Sequence, residues 1–298
     1  MNSFKRITNI TGWLVFAICA VVFFLSAERT GSLWDCGEFV LGAYKLQVVH
    51  QPGAPMFLLV GRIFTWFAEI FSDTAANPEN IAFAVNLMSG LCTAFAATFI
   101  CWVTMMFGKL ALVGRNDEPS EGQNLALAGA GLAGGLATAF ATSVWFSAVE
   151  GEVYAMSTFF TCLTLWAGAK WYYLPDTAKN DRWIALTFFT AALSMGVHLL
   201  SLLTFPALAM LYAYKKNVNN AYLKILGTII AVCSAPLIAL ILASFIVEFG
   251  NLTDSFGLRI LIFALVVSAI GGIAYSAYKS DNGFNLDKFL TAMGSAGV

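Results

Sequence analysis

Six stretches, about 10–27, 81–107, 125–147, 153–173, 222–247 and 257–278, are each long and apolar enough to cross a bilayer as a helix, which takes roughly 20 residues. None alternates strictly between apolar and polar positions, as the strands of an outer-membrane barrel do. The chain is 59% hydrophobic and only 11% charged, well below the roughly 25% charged residues of soluble domains. The expected class is therefore an all-α polytopic membrane protein. With a formal net charge of −1 and no basic block, nothing points to nucleic acid, and partners are expected in the bilayer or at its two faces.

Lys5 and Arg6 precede the first apolar run, which ends Leu25-Ser26-Ala27. That resembles a leader, but the run is long and the chain stays hydrophobic after it, so it reads as the first span. Cys19, Cys92, Cys101, Cys162 and Cys233 lie within apolar runs and are expected to behave as small hydrophobes, while Cys36 reads as a loop cysteine. No C-x-x-C pair offers a zinc site.

Two stretches need the charge pattern to be placed. Residues 56–71 number only 16 and carry Arg62 and Glu69, which suits an interfacial helix better than a span. Residues 184–214 are too long for one span, and the "GVHL" near their middle suggests two short helices meeting at a turn. If 28–80 is one external loop and 184–214 a short hairpin, the inner face collects Lys5, Arg6, Lys109, Arg115, Lys170, Lys179, Arg182 and five further lysines. The outer face then keeps only Arg29, Lys45, Arg62 and Arg259, as the positive-inside rule requires. The expectation is eight membrane passages, a cytoplasmic N-terminus and a large first external loop.

This topology gathers three polar clusters on the outer side: Asp35 and Glu38 in "WDCGEF", Glu150 and Glu152 in "AVEGEVY", and His198 in "SMGVHLLS". Asp35 and Glu38 are three residues apart, so a helical turn puts both carboxyls on one face. In a partly desolvated pocket, one would stay ionised as a general base while the other holds a proton. The bland alternative is a wet acidic loop, against which the neighbours Trp34, Phe39, Leu41 and Tyr44 argue. His50 follows in "HQPGAP", where the prolines enforce a turn that either fixes His50 near the acids or simply redirects the chain. Arg62 either reaches a lipid phosphate or snorkels from its helix. Glu150 and Glu152 are either solvated cap acids or, with Asp35, ligands of a divalent cation. His198 is either functional by virtue of its apolar setting or a packing histidine. The glycines of "GAGLAGG" are expected to let the third span approach a neighbour closely.

Taken together, "GSLWDCGEFVLGAYKLQVVHQPGAP", "WFSAVEGEVYAMSTFF" and "MGVHLLSLLTFPAL" resemble a family long catalogued as a transmembrane domain of unknown function. Its animal members are protein O-mannosyltransferases of receptor ectodomains, and its bacterial members are classed as GT-C glycosyltransferases. The resemblance runs from about residue 10 to about 215. It implies a single GT-C-like helical bundle over 1–298, with juxtamembrane helices in the first external loop and a site facing outward from a bacterial plasma (inner) membrane. It also implies inverting transfer of a sugar, for example mannose, from a polyprenyl-phosphate donor to a Ser or Thr hydroxyl of an exported polypeptide. Asp35 or Glu38 would be the base, and His50, Arg62, Glu150, Glu152 and His198 would contact substrate. The family's acids are often directly adjacent, whereas here Cys36 and Gly37 separate them. Family members also run longer, so the chain reads as a fragment or a reduced member. A transporter or channel with an acidic and histidine-lined path is the competing reading; it predicts polar residues at mid-membrane and inverted repeats.

Overall fold

The computed structural model describes residues 3–51 and 53–216. The expected spans at 222–247 and 257–278 lie outside the described residues. A main unit ends at Phe205; a second begins at Pro206, and of it only the helix reaching Lys215 is described.

Every regular element among the described residues is helical. The first, α1 (Ser3–Ser26), is followed by two helices inside the expected external loop, α2 (Cys36–Lys45) and α3 (Pro55–Phe71). Then come α4 (Glu79–Leu112), α5 (Glu121–Phe140), α6 (Thr142–Val149), α7 (Val153–Tyr173), α8 (Asp181–Ser194) and α9 (Phe205–Lys215). By length and composition α1 and α4 can each cross a membrane, and α5 with α6 can form a third span that is bent by 65° at its break. These helices mark an integral membrane protein. Of the eight expected passages, two or three are present as candidate spans among the described residues. The stretch expected as one span over 125–147 is two helices, because Ala141 takes an extended conformation between them. The stretch 184–214 is likewise divided, with α8 and α9 separated by a 3-10 turn at Leu199–Thr204.

The hub is α4, about 50 Å long at 1.5 Å per residue. Its apolar residues run all round, as expected of a helix surrounded by others, and α1, α5 and α7 pack along it. Contacts along the two helices set their sense: Trp102 of α4 donates to the Thr8 carbonyl, Phe95 meets Phe16, and Phe83 meets Phe24, so α1 and α4 are antiparallel. By the same reading α7 runs alongside α4 in parallel, with Phe159 against Phe95 and Tyr172 against Phe107. α8 returns antiparallel to α7, through the Thr164–Thr190 hydroxyl pair and Trp166 against Trp183. α5 begins in a capping box, Ser120 and Gln123 each satisfying the other's backbone N–H.

This up-and-down course sorts the loops to two ends. One end holds the 27–35 segment, α2, the 46–54 turn, the 150–152 link and the turn after α8. The other holds the starts of α1 and α5 and the ends of α4 and α7. There Lys109 donates to the carbonyls of Gly114 and Arg115, and Arg115 caps α7 through the carbonyls of Tyr172, Tyr173 and Leu174. Cations at helix C-termini complement the macrodipole.

The glycine stripe of α5 does the packing expected of it, except at Gly129. A Cβ on Gly135 would lie 2.9 Å from the Ala97 carbonyl oxygen of α4, and one on Gly131 would lie 2.6 Å from Met105, whereas Gly129 faces open space. Gly135→Ala should therefore push α5 off α4 and lower the thermal midpoint in detergent by several degrees. Gly129→Ala should be neutral or stabilising by up to about 1 kcal/mol, since alanine is the better helix former.

Candidate functional site

The site is built where α2 begins. Asp35 is the N-cap of α2 and Glu38 lies in its first turn, so the three-residue spacing does put both acids on one side. His50 comes back to them because the chain turns at residues 50–53: the Gly53 N–H donates to the His50 carbonyl at 2.8 Å. Gly53 has φ +71, a conformation that disfavours any residue with a Cβ. Glu38 then takes His50 at two points. The His50 backbone N–H donates to Oε1 at 2.6 Å, and Nδ1 lies 2.8 Å from Oε2. Nε2, on the far side of the ring, is 3.9 Å from Asp35 Oδ2. The side chains of Asp35, Glu38 and His50 are 57%, 42% and 48% exposed. This corrects the expectation that aromatic neighbours would desolvate the acid pair; Trp34 is 91% exposed and does not cover it.

The segment carrying Asp35 is pinned from below by Asn86, a wholly buried residue of α4. Its Nδ2 donates to the carbonyls of Glu28 (2.8 Å) and Thr30 (3.4 Å), and its Oδ1 accepts from the Cys36 thiol (3.9 Å). Cys36 is itself wholly buried and opens α2, which corrects its reading as a loop cysteine. The same amide fixes the second acidic segment. A Cβ on Gly151 would lie 3.0 Å from Asn86 Oδ1, 3.1 Å from Val85 and 3.2 Å from Val40 of α2, so the chain between Glu150 and Glu152 passes directly over α4 and against α2.

Glu152 caps α7 and is only 9% exposed. Burial, then the negative charge of Asp35, then that of Glu150 push its pKa up to about 7, with the Val153 N–H and His50 pulling the other way. Glu38 moves oppositely: its hydrogen bonds to the His50 ring and backbone hold its pKa below the usual carboxylate value, while the same contact raises that of His50. Burial and like charge thus raise the pKa of Glu152, while that of Glu38, a member of the pair in which the division was expected, is lowered.

The third cluster lies at the same end. His198 follows α8, and its ring meets that of Tyr154, in the first turn of α7, at 5.4 Å. The Leu200 N–H donates to His198 Nδ1, which leaves Nε2 as the protonated nitrogen of the neutral ring. The Met56 N–H donates to the Gly196 carbonyl, which ties this turn to the start of α3. Arg62 is not gathered with the acids. It sits on α3 with its guanidinium on Thr65 and Glu69 and near the rings of Tyr44 and Trp66. Tyr44 is six residues along α2 from Glu38, about 9 Å down the axis. Sequence reasoning missed Asn86 and Tyr154. A lone asparagine in the apolar run "AFAVNLMSG" was the available signal, since a buried amide in a membrane helix requires partners.

Residues 35–221, more than half of the chain, match the family described as the Protein O-mannosyl-transferase TMEM260 N-terminal domain. The chain belongs to that family. It is 23% identical over 175 residues to the Protein O-mannosyl-transferase tmem260 of Dictyostelium discoideum, covering 57% of this chain and 18% of that protein. It is 25% identical over 181 residues to the Protein O-mannosyl-transferase TMEM260 of Mus musculus, covering 61% of this chain and 22% of that protein. The chain thus spans about a fifth of the length of these curated relatives. No solved structure matches it. The family match begins at Asp35 itself and takes in α2, the His50 turn, the 150–152 link and His198.

Because the folded-state pKa of Glu152 is raised, its protonated form favours folding below about pH 4.5, and that contribution is lost as pH rises through about 7. Glu152→Gln should therefore flatten the fall of thermal stability between those values. Asp35→Asn, by removing the charge that acts on Glu152, should shift the carboxyl band of Glu152 in infrared pH titration to lower pH; an unmoved band would refute the coupling.

Proposed function

We propose that the chain carries the catalytic end of an inverting, membrane-embedded glycosyltransferase of the GT-C kind, with Asp35 as general base. The donor is a polyprenyl-phosphate-linked sugar, mannose by analogy with the names of the relatives, and the acceptor is a Ser or Thr hydroxyl of an exported polypeptide. The observation that carries this reading is the unequal use of the two acids at the α2 entrance. Both oxygens of Glu38 are occupied by His50, so Glu38 acts as a positioning residue, while Asp35 lies open with no hydrogen bond to its carboxylate among the described residues.

In the transfer, the acceptor oxygen forms a bond to the anomeric carbon as its proton passes to Asp35. The bond from that carbon to the phosphate oxygen breaks, and the lipid phosphate leaves with the electron pair. His198 Nε2–H and the Arg62 guanidinium are the groups proposed to receive the developing phosphate charge. Arg62 suits a donor entering from lipid, because α3 presents Leu59, Ile63, Trp66, Phe67, Ile70 and Phe71 outward as an apolar face. Trp34 adds an exposed aromatic platform beside the base and sits at φ 61, a strained value for a bulky residue. The lysine- and arginine-rich end of the bundle, opposite the acids, supports a cytoplasmic assignment for that end and an outward-facing site.

Asp35→Asn should lower transfer from polyprenyl-phosphate mannose to a Ser/Thr peptide by about 100-fold or more with little change in donor KM. Glu38→Gln should cost less, through misplacement of His50, and His198→Ala should raise donor KM. Full activity in both carboxylate variants would eliminate the base, and ion flux without transfer would favour a transporter. The orientation has its own check: Ala75→Cys should react with a membrane-impermeant maleimide added from outside the cell, and labelling from the cytoplasmic side alone would reverse the topology.

A further inference from the structure

The basic end of the bundle carries an arrangement of its own, away from the acids. Lys170, in the last turn of α7, is partly buried, and its Nζ lies 5.2 Å from the ring centres of both Trp166 and Trp183. Two indole faces hold an ammonium in place but leave its charge unneutralised. Among the described residues Lys170 has no carboxylate within ion-pair distance. Asp181, which opens α8, accepts instead from the Trp171 indole N–H at 3.3 Å, and Arg182 adds a further cation over the Trp183 ring.

A second lysine reaches the same place from α1. The Trp102 indole of α4 donates to the Thr8 carbonyl at 3.1 Å and lies flush on α1, where a Cβ on Gly12 would collide with it. Its ring also meets that of Trp166, at 5.5 Å. Lys5 is one turn before Thr8, and Lys170 is one turn after Trp166. Because α1 and α7 run in opposite senses, both lysines extend past this indole pair toward the same end. Lys5 is exposed, has no carboxylate within ion-pair distance among the described residues, and its charge acts on Lys170. Two ammonium groups brought together without a carboxylate repel each other, and a bound anion relieves that repulsion.

The surroundings say which anion. Trp13 is 51% exposed and meets Trp102 edge-on at 5.9 Å, with Ile10 and Leu14 exposed beside it on α1. Phe99 and Phe95 of α4 continue the aromatic row from Trp102 toward the middle of the bundle. A soluble anion makes no use of that row, whereas an acyl chain packs along it, and tryptophans beside basic side chains are typical of the boundary between headgroups and hydrocarbon. We propose that Lys5 and Lys170 hold the phosphate of one anionic glycerophospholipid in the leaflet at the basic end, with its acyl chains on the aromatic row between α1 and α7. Basic recesses between membrane helices recognise anionic headgroups in this way. The site lies at the opposite end of the bundle from the acids and does not depend on the proposed sugar transfer.

The test is native mass spectrometry of the delipidated full chain in detergent, titrated separately with phosphatidylglycerol and with phosphatidylcholine of the same acyl chains. The expected result is one phosphatidylglycerol per chain, retained at least 5-fold more tightly than phosphatidylcholine. Lys5→Gln and Lys170→Gln should each weaken phosphatidylglycerol binding by about 5-fold and leave phosphatidylcholine binding unchanged. Lys170→Arg, which keeps the charge, should retain the preference, and Arg29→Gln, at the acidic end, should change nothing. Lys5 is exposed, so its variant serves where Lys170→Gln fails to fold. Equal retention of the two lipids, or wild-type preference in the folded Lys5 and Lys170 variants, would overturn the site. Displacement of the lipid by equimolar glycerol 3-phosphate or inorganic phosphate would assign the lysines to a soluble anion and overturn the lipid.

Discussion

A single buried amide holds the two acidic segments in register. Asn86 has no access to water, so each of its polar atoms must find a protein partner or cost on the order of 1–3 kcal/mol. It finds them in the carbonyls of Glu28 and Thr30 and in the thiol of Cys36, which belong to the segment leading into α2. Its oxygen also lies where any side chain at position 151 would have to be, so the chain between Glu150 and Glu152 runs close over α4 only because residue 151 is glycine. The positions of Asp35, 51 residues before Asn86, and of Glu152, 66 residues after it, are both referred to this one group.

Around that anchor the charges are arranged by burial rather than by count. Glu38 and His50 lie in the open and satisfy each other, so both favour their charged forms. Glu152 is buried and next to like charge, which raises its pKa. One end of the bundle thereby holds an acid whose pKa is lowered, Glu38, and one whose pKa is raised, Glu152. At the opposite end Lys109 and Arg115 are spent on helix C-termini.

Much of the helical layout was legible in the chain. Apolar run length located α1, α4 and α7, the last over the same residues as expected, and Arg62 with Glu69 marked 56–71 as a helix apart from the others. The run over 125–147 misled, because Ala141 breaks it by backbone conformation alone, and nothing in its apolar composition registers a 65° bend. The acidic pair and His50 were recognised as candidates from their neighbourhood in sequence, whereas Asn86 and Tyr154 were not, since their partners lie far away along the chain.

What the sequence determined by itself is what short-range chemistry enforces: apolar runs without water must close their own hydrogen bonds as helices, and acids three apart must share a face of a turn. What only the tertiary structure decided is the environment of each ionisable group. Cys36 became a buried anchor, Glu38 became the partner of His50, Asp35 was left open, and Glu152 became the desolvated carboxyl. Those outcomes depend on which surfaces α2, α4 and α7 present to one another, because desolvation and Coulomb interaction act through space and are blind to the order of residues along the chain.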